Sequence, residues 1–253
     1  MTQNIYDTTS FFESYSKYPR MSKGGLASAS EWPLLETMLP SSLASKTVLD
    51  LGCGDGWFSR WAVDRGAKAV CAMDVSSNML SRARQLSSSS PQYRQGITFR
   101  QVDMDALDQK RLNMNGPGGL GLGLGAEEKE DEEEETYDLA FSGLALHYLV
   151  NLEAALRQVW RSLKPGGLLV FSVEHPIFTA PRRPGFITSS KKPEALELEA
   201  VHGRGQQDWP LSSYFAEGER EVDWLGAPVR KQHRTISRLV VLDSSHGFYT
   251  FHM

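Results

Sequence analysis

Between Thr47 and Val173 the chain alternates two periodicities. Runs that are apolar almost throughout, TVLDLG, AKAVCAMD and ITFRQVD, are separated by WFSRWAVDRG and SSNMLSRARQLS, whose apolar residues recur at helical spacing. This is a βαβαβ series. Parallel strands need crossovers that cover both faces of their sheet, and so they read as near-continuous hydrophobic runs. The series resumes with YDLAFSGLAL, a helix over NLEAALRQVWRSL, a KPGG turn and the strand LLVFSV. The pattern predicts an α/β fold with an open, doubly wound, mostly parallel sheet.

Four segments follow from that frame. Residues 1–29, with the aromatic-rich FFESYSKYP, form an N-terminal lid segment. Residues 30–176 are the α/β core, and the short amphipathic helix EWPLLETMLP near its start is expected, like the lid, over the carboxyl edge of the sheet. Within the core, residues 108–136 combine GPGGLGLGLG with EEKEDEEEE, and glycine entropy together with like-charge repulsion predicts a mobile loop there. Residues 177–229, too aromatic for a linker, read as a cap over the substrate, and residues 230–253 return to complete the core.

Composition narrows the partners. The net charge of -4 comes from one stretch: Glu127 to Glu135 holds eight acids and one lysine, which leaves 26 basic against 23 acidic residues elsewhere. A nucleic-acid partner is therefore not expected, nor a polybasic membrane anchor. Two cysteines, Cys53 and Cys71, exclude a disulfide framework and a cysteine zinc site, and no metal is expected. The N-terminus has no apolar run behind a basic start, and nowhere are there about 18 consecutive apolar residues, so a cytoplasmic location is the expectation.

The chemistry is concentrated in VLDLGCGDGWFSRW. Asp50 closes a strand, and Gly52, Gly54 and Gly56 follow at alternate positions before a helix, where the chain must turn sharply and let a ligand approach the backbone. A dinucleotide site uses the similar G-x-G-x-x-G, but Trp57 stands three residues after Gly54 and breaks that form. The second strand ends in Asp74, where a carboxylate can accept both hydroxyls of a ribose, and the third in Asp103. Three acids at successive strand ends favour a ligand that is rich in donors and carries positive charge; a pyrophosphate would be repelled.

These motifs resemble the class I S-adenosylmethionine-dependent methyltransferases and their Rossmann-like fold. The resemblance implies that Asp50 to Gly56, Cys53 included, surround the methionine part of the cofactor, that Asp74 holds the ribose and that Asp103 faces the adenine amino group. It also implies a cofactor wall at Met104 and Ser142, and LKPGG matches a common turn of the family. Beyond the core, FFESYSKYPR, FSVEHPIFTA and WLGAPVRKQHRTIS are similar to a bacterial and fungal subgroup of the small-molecule type. Tyr15, Tyr18 and Arg20 would close over the cofactor, with Arg20 pairing the methionine carboxylate. Cys53 is a packing residue in this reading, because no histidine in the motif would activate its thiol.

The implied reaction is in-line attack of a small-molecule nucleophile on a sulfonium methyl, to which orientation contributes most. Candidate bases are His147, with Tyr148 beside it, and His175, with Glu174 beside it. The alternatives are a non-catalytic S-adenosylmethionine-binding protein or inactive truncated variant, separated by turnover, and a nicotinamide-dependent oxidoreductase, separated by cofactor identity. Only 19 residues follow Arg234, fewer than a helix and a strand pair require. RLVVLDSSHGFYTFHM reads instead as a hairpin. The C-terminal strand pair is therefore expected to be atypical and incomplete, with one element missing.

Overall fold

The computed structural model describes residues 3–18, 21, 24–107, 136–182, 185–188 and 207–245. Its centre is a sheet of five parallel strands: β1 (Thr47–Leu51), β2 (Ala69–Asp74), β3 (Ile97–Gln101), β4 (Tyr137–Gly143) and β5 (Leu163–Ser172), ordered β3-β2-β1-β4-β5. Side chains alternate between the faces with period two. On one face Val48, Val70, Ala72, Leu139 and Phe141 pack with Trp32, Leu35, Phe58, Ala62 and Leu80. These come from the helices α1 (Trp32–Met38), α2 (Trp57–Asp64) and α3 (Ser77–Ser87). On the other face Leu49, Leu51, Cys71, Met73 and Ala140 pack with Val159 of α4 (Leu152–Ser162). The sheet is doubly wound, as expected.

Local chemistry sets the helix ends. Ser76 caps α3 by accepting the Met79 amide at 3.1 Å. In α4 the buried residues Leu152, Ala155, Leu156 and Val159 follow the helical stripe that the sequence displays. The KPGG segment is not a free turn before the strand but a bulge within it: Tyr137 pairs with Leu163 and Leu139 with Leu168, so the strand gains three residues on its partner.

Two expectations are corrected. EWPLLETMLP does not lie over the carboxyl edge: Trp32, Leu35 and Leu39 belong to the core cluster on the sheet face, because the apolar stripe of α1 has Phe58 and Trp61 of α2 to pack against. Nor does the C-terminal segment begin as a hairpin, since Ile236–Ser245 is a helix, α5. The Thr235 hydroxyl accepts the Arg238 amide at 3.2 Å at its start, and Leu239 packs against Leu146, Leu149, Leu152 and Leu156. The helix thus contributes to covering this apolar surface. The expected last strand pair, like most of the glycine and acidic insertion, lies outside the described residues.

Above the carboxyl edge stand two further pieces. The N-terminal segment carries the short helix Thr9–Ser16. An antiparallel hairpin, β6 (Gly218–Trp224) with β7 (Ala227–His233), pairs Val222 with Val229 and runs past residue 229, where the cap was expected to end.

Candidate active site

The carboxyl ends of β1, β2 and β3 deliver three acids to one cavity of about 590 Å³, inside the roughly 300–1,000 Å³ range of small-ligand sites. Asp50 is 2% exposed and accepts the Ser59 hydroxyl at 2.5 Å. Burial nevertheless pushes its carboxyl up to about 7. Asp74 accepts the Gly54 amide on one oxygen and the Ser76 amide on the other, both at 2.9 Å, and burial raises its carboxyl above the ordinary range. Asp103 accepts the Asp105 amide at 3.0 Å and opens a short turn that carries Met104.

The loop between β1 and α2 fits an amino-acid nucleoside held against the backbone. Gly52 and Gly54 have φ of 68° and 55°, and a Cβ on Gly52 would stand 2.4 Å from the Ala145 side chain, so this backbone is shaped for glycine. Cys53, Gly52 and Gly54 line the cavity; burial pushes the Cys53 thiol well up, which suits packing and not nucleophilic attack. Gly56 and Ser142 do not line it. Gly56 begins α2 in the left-handed conformation under the Phe99 ring, and the buried Ser142 hydroxyl donates to the Leu51 carbonyl at 2.9 Å between β4 and β1. Arg20 lies outside the described residues.

The N-terminal segment forms a roof. Tyr6 meets Phe11 and Tyr15 edge-on, and Tyr15 and Tyr18 meet Trp224 of the hairpin. The roof is fastened at both sides. The Gln3 amide donates to the Pro228 carbonyl and accepts from the Arg230 amide at 2.9 and 2.7 Å. The Asp7 carboxylate accepts the Ser76 hydroxyl at 2.6 Å and the Asn78 amide at 3.0 Å at the start of α3, and these bonds hold its carboxyl down to about 2 although burial opposes them. Sequence reasoning missed Asp7; the signal was the pairing of an early acid with the cap sequence SSN.

The ends of β4 and β5 supply the remaining wall. His147 is 8% exposed, and burial pushes its imidazole down to about 3. Its Nδ1 accepts the Glu174 amide at 3.4 Å. His175 caps a short helix through Nδ1, which accepts the Ile177 amide at 3.2 Å, and the residue is among those that line the cavity. Lys231, absent from the sequence-based candidates, enters from β7 and pairs with Glu174 at 2.9 Å.

A methyltransferase domain model matches residues 29–213. The chain belongs to that family. It is 38% identical to an S-adenosylmethionine-dependent methyltransferase of Mesorhizobium loti, with 90% of this chain and 85% of that one covered and a TM-score of 0.66. A solved protein of Listeria monocytogenes is 31% identical, covering 88% of this chain and 86% of its own, with a TM-score of 0.67. A malonyl-[acyl-carrier protein] O-methyltransferase of Erwinia pyrifoliae is 32% identical over 140 residues, 55% of this chain and 40% of the relative. The enzyme is an S-adenosylmethionine-dependent methyltransferase, and the nicotinamide reading falls with that finding. Among the described residues no helix is long and apolar enough to cross a membrane.

Proposed function

We propose that this methyltransferase acts on a small molecule enclosed beside the cofactor, which lies across the ends of β1 to β3. Bound S-adenosylmethionine supplies an electrophilic methyl on a sulfonium. The loop from Asp50 to Gly54 holds its amino-acid part, Asp74 the ribose, and Asp103 with Met104 the adenine; Tyr15 closes over it. The observation that carries the reading is the single roofed cavity lined both by this set and by His147, Glu174, His175 and Lys231. Residues 1–29 act as the lid, and the cap extends through the hairpin to His233. The cytoplasm, where thiols stay reduced, is the proposed location and suits two buried free cysteines.

The name of the Erwinia relative gives a carrier-tethered acceptor, but that match covers only about half of this chain. The roof of Tyr6, Tyr15 and Trp224 favours an acceptor that enters whole. Calorimetry should show heat from S-adenosylhomocysteine and none from NAD. A labelled methyl donor added with the enzyme to a cell extract should then label the small-molecule fraction. Label confined to macromolecules would overturn the reading.

A further inference from the structure

We propose that Glu174 and Lys231 are the acceptor-binding and proton-accepting pair of this site, and that the acceptor is a planar small molecule methylated on a phenol-type or enol-type hydroxyl oxygen. This rests on the small-molecule reading above. The sheet order β3-β2-β1-β4-β5 places the glycine loop and the acids Asp74 and Asp103 on one side of the switch between β1 and β4. Glu174 follows β5 on the other side, and its residue borders the same cavity. Its carboxylate therefore stands at the part of the edge that remains for an acceptor.

Lys231 arrives there because β7 turns Val229, Lys231 and His233 inward at period two. Its side chain is 8% exposed, with Nζ at 3.0 and 2.9 Å from the two Glu174 oxygens and 5.6 Å from the centre of the Trp224 ring. Burying charge costs desolvation, most of it here on Lys231 and less on Glu174, whose side chain is 27% exposed, and well-packed apolar residues of similar volume are often at least as stable as an ion pair. A pair kept in a cavity wall points to a chemical use.

The two charges discriminate between acceptors. An ammonium acceptor would meet Lys231 beside the carboxylate it has to reach. A carboxylate acceptor would meet Glu174 and needs no base. A neutral hydroxyl suits both groups, because its O–H donates to Glu174 and the negative charge that grows on its oxygen is met by the Lys231 ammonium. In the step, the proton passes to Glu174 and an oxygen lone pair forms the bond to the methyl carbon. The carbon–sulfur bond breaks with its electrons on sulfur, so the sulfonium becomes a thioether and the products are a methyl ether and S-adenosylhomocysteine. His147 does not compete for the proton: with Nδ1 accepting the Glu174 amide, the neutral ring carries its hydrogen on Nε2. Tyr15, Tyr18, Trp224 and Phe178 are among the residues that line the cavity, and such aromatic residues suit a flat acceptor.

The test reads the linkage of the labelled methyl in the small-molecule fraction of an extract treated with the full chain. A methyl ether resists mild alkali and passes a cation exchanger; an ester is cleaved by alkali, and an amine is retained on the exchanger. We expect alkali-stable, unretained label. With the purified acceptor, Glu174→Gln should lower kcat by about 100-fold or more while S-adenosylhomocysteine affinity stays at the wild-type value; its melting temperature falls, because the Lys231 ammonium loses its partner. Lys231→Met should shift the pH profile of kcat upward, and Lys231→Arg should restore it. Alkali-labile or retained label, or a Glu174→Gln enzyme within about threefold of wild type, overturns this assignment but leaves the small-molecule reading standing. Label confined to macromolecules overturns both.

Discussion

The Asp74 carboxylate accepts the Gly54 amide at 2.9 Å, so the end of β2 and the middle of the loop after β1 form one hydrogen-bonded unit. Its other oxygen takes the Ser76 amide at the same distance, which fixes the start of α3 as well. Loop shape and, in the proposed reading, ribose recognition therefore depend on one side chain. Asp74→Ala should lower S-adenosylhomocysteine affinity by at least about tenfold, since each hydrogen bond to a charged group is worth roughly 1.5–3 kcal/mol. It should also lower the melting temperature, because two amides lose their acceptor. Calorimetry and a thermal scan check this, and unchanged affinity in a folded variant would remove Asp74 from the cofactor site.

Asp7 joins the roof to the core. Its carboxyl is held at about 2, below its ordinary value, so its contribution to stability is complete above the unfolded value near 4 and is lost as pH falls through about 2. Asp7→Ala removes a charged acceptor from the first turn of α3, and loss of such a cap costs about 0.5–2 kcal/mol. The roof should then open more often, raising the dissociation rate of S-adenosylhomocysteine in stopped-flow more than it lowers stability. Equal dissociation rates in variant and wild type would show that the roof does not gate the site.

The parallel core is legible in the sequence because strands buried on both faces leave no polar alternation to confuse with a surface strand. Asp50, Asp74 and Asp103 are legible for a related reason, as the first acids that each apolar run permits. Lys231 is not: in VRKQH the polar residues outnumber the apolar, and only the folded hairpin reveals that Val229, Lys231 and His233 share the inner face. The C-terminal helix misleads differently. RLVVLDSSHG carries adjacent β-branched valines around a turn sequence, and local propensity yields to the apolar surface of Leu146 to Leu156 that Leu239 covers.

That packing makes its own prediction. Leu239 is 8% exposed and sits on Leu146, Leu149, Leu152, Ala155 and Leu156. Truncation to alanine should cost about 2–4 kcal/mol by removing buried methyl groups and leaving a cavity. Denaturant titration measures it. A loss under about 0.5 kcal/mol, the usual size for a surface position, would show that the helix does not dock there.

Asp50 gives the pH dependence. Its carboxyl lies at about 7 when folded, raised by burial above its unfolded value near 4, so the protonated form is the one that folding favours. The sign follows: the stability tied to this group is complete below about pH 4 and is lost as pH rises through about 7. A shift of about three units corresponds to a loss on the order of 4 kcal/mol. Asp50→Asn, which keeps a carbonyl oxygen for the Ser59 hydroxyl, should therefore melt higher than wild type at pH 8, and the difference should shrink towards pH 5. Saturating S-adenosylmethionine should flatten the wild-type dependence, because the positive charge of the ligand restores the carboxylate. Parallel pH curves for variant and wild type, with and without ligand, would mean that Asp50 is ionised throughout.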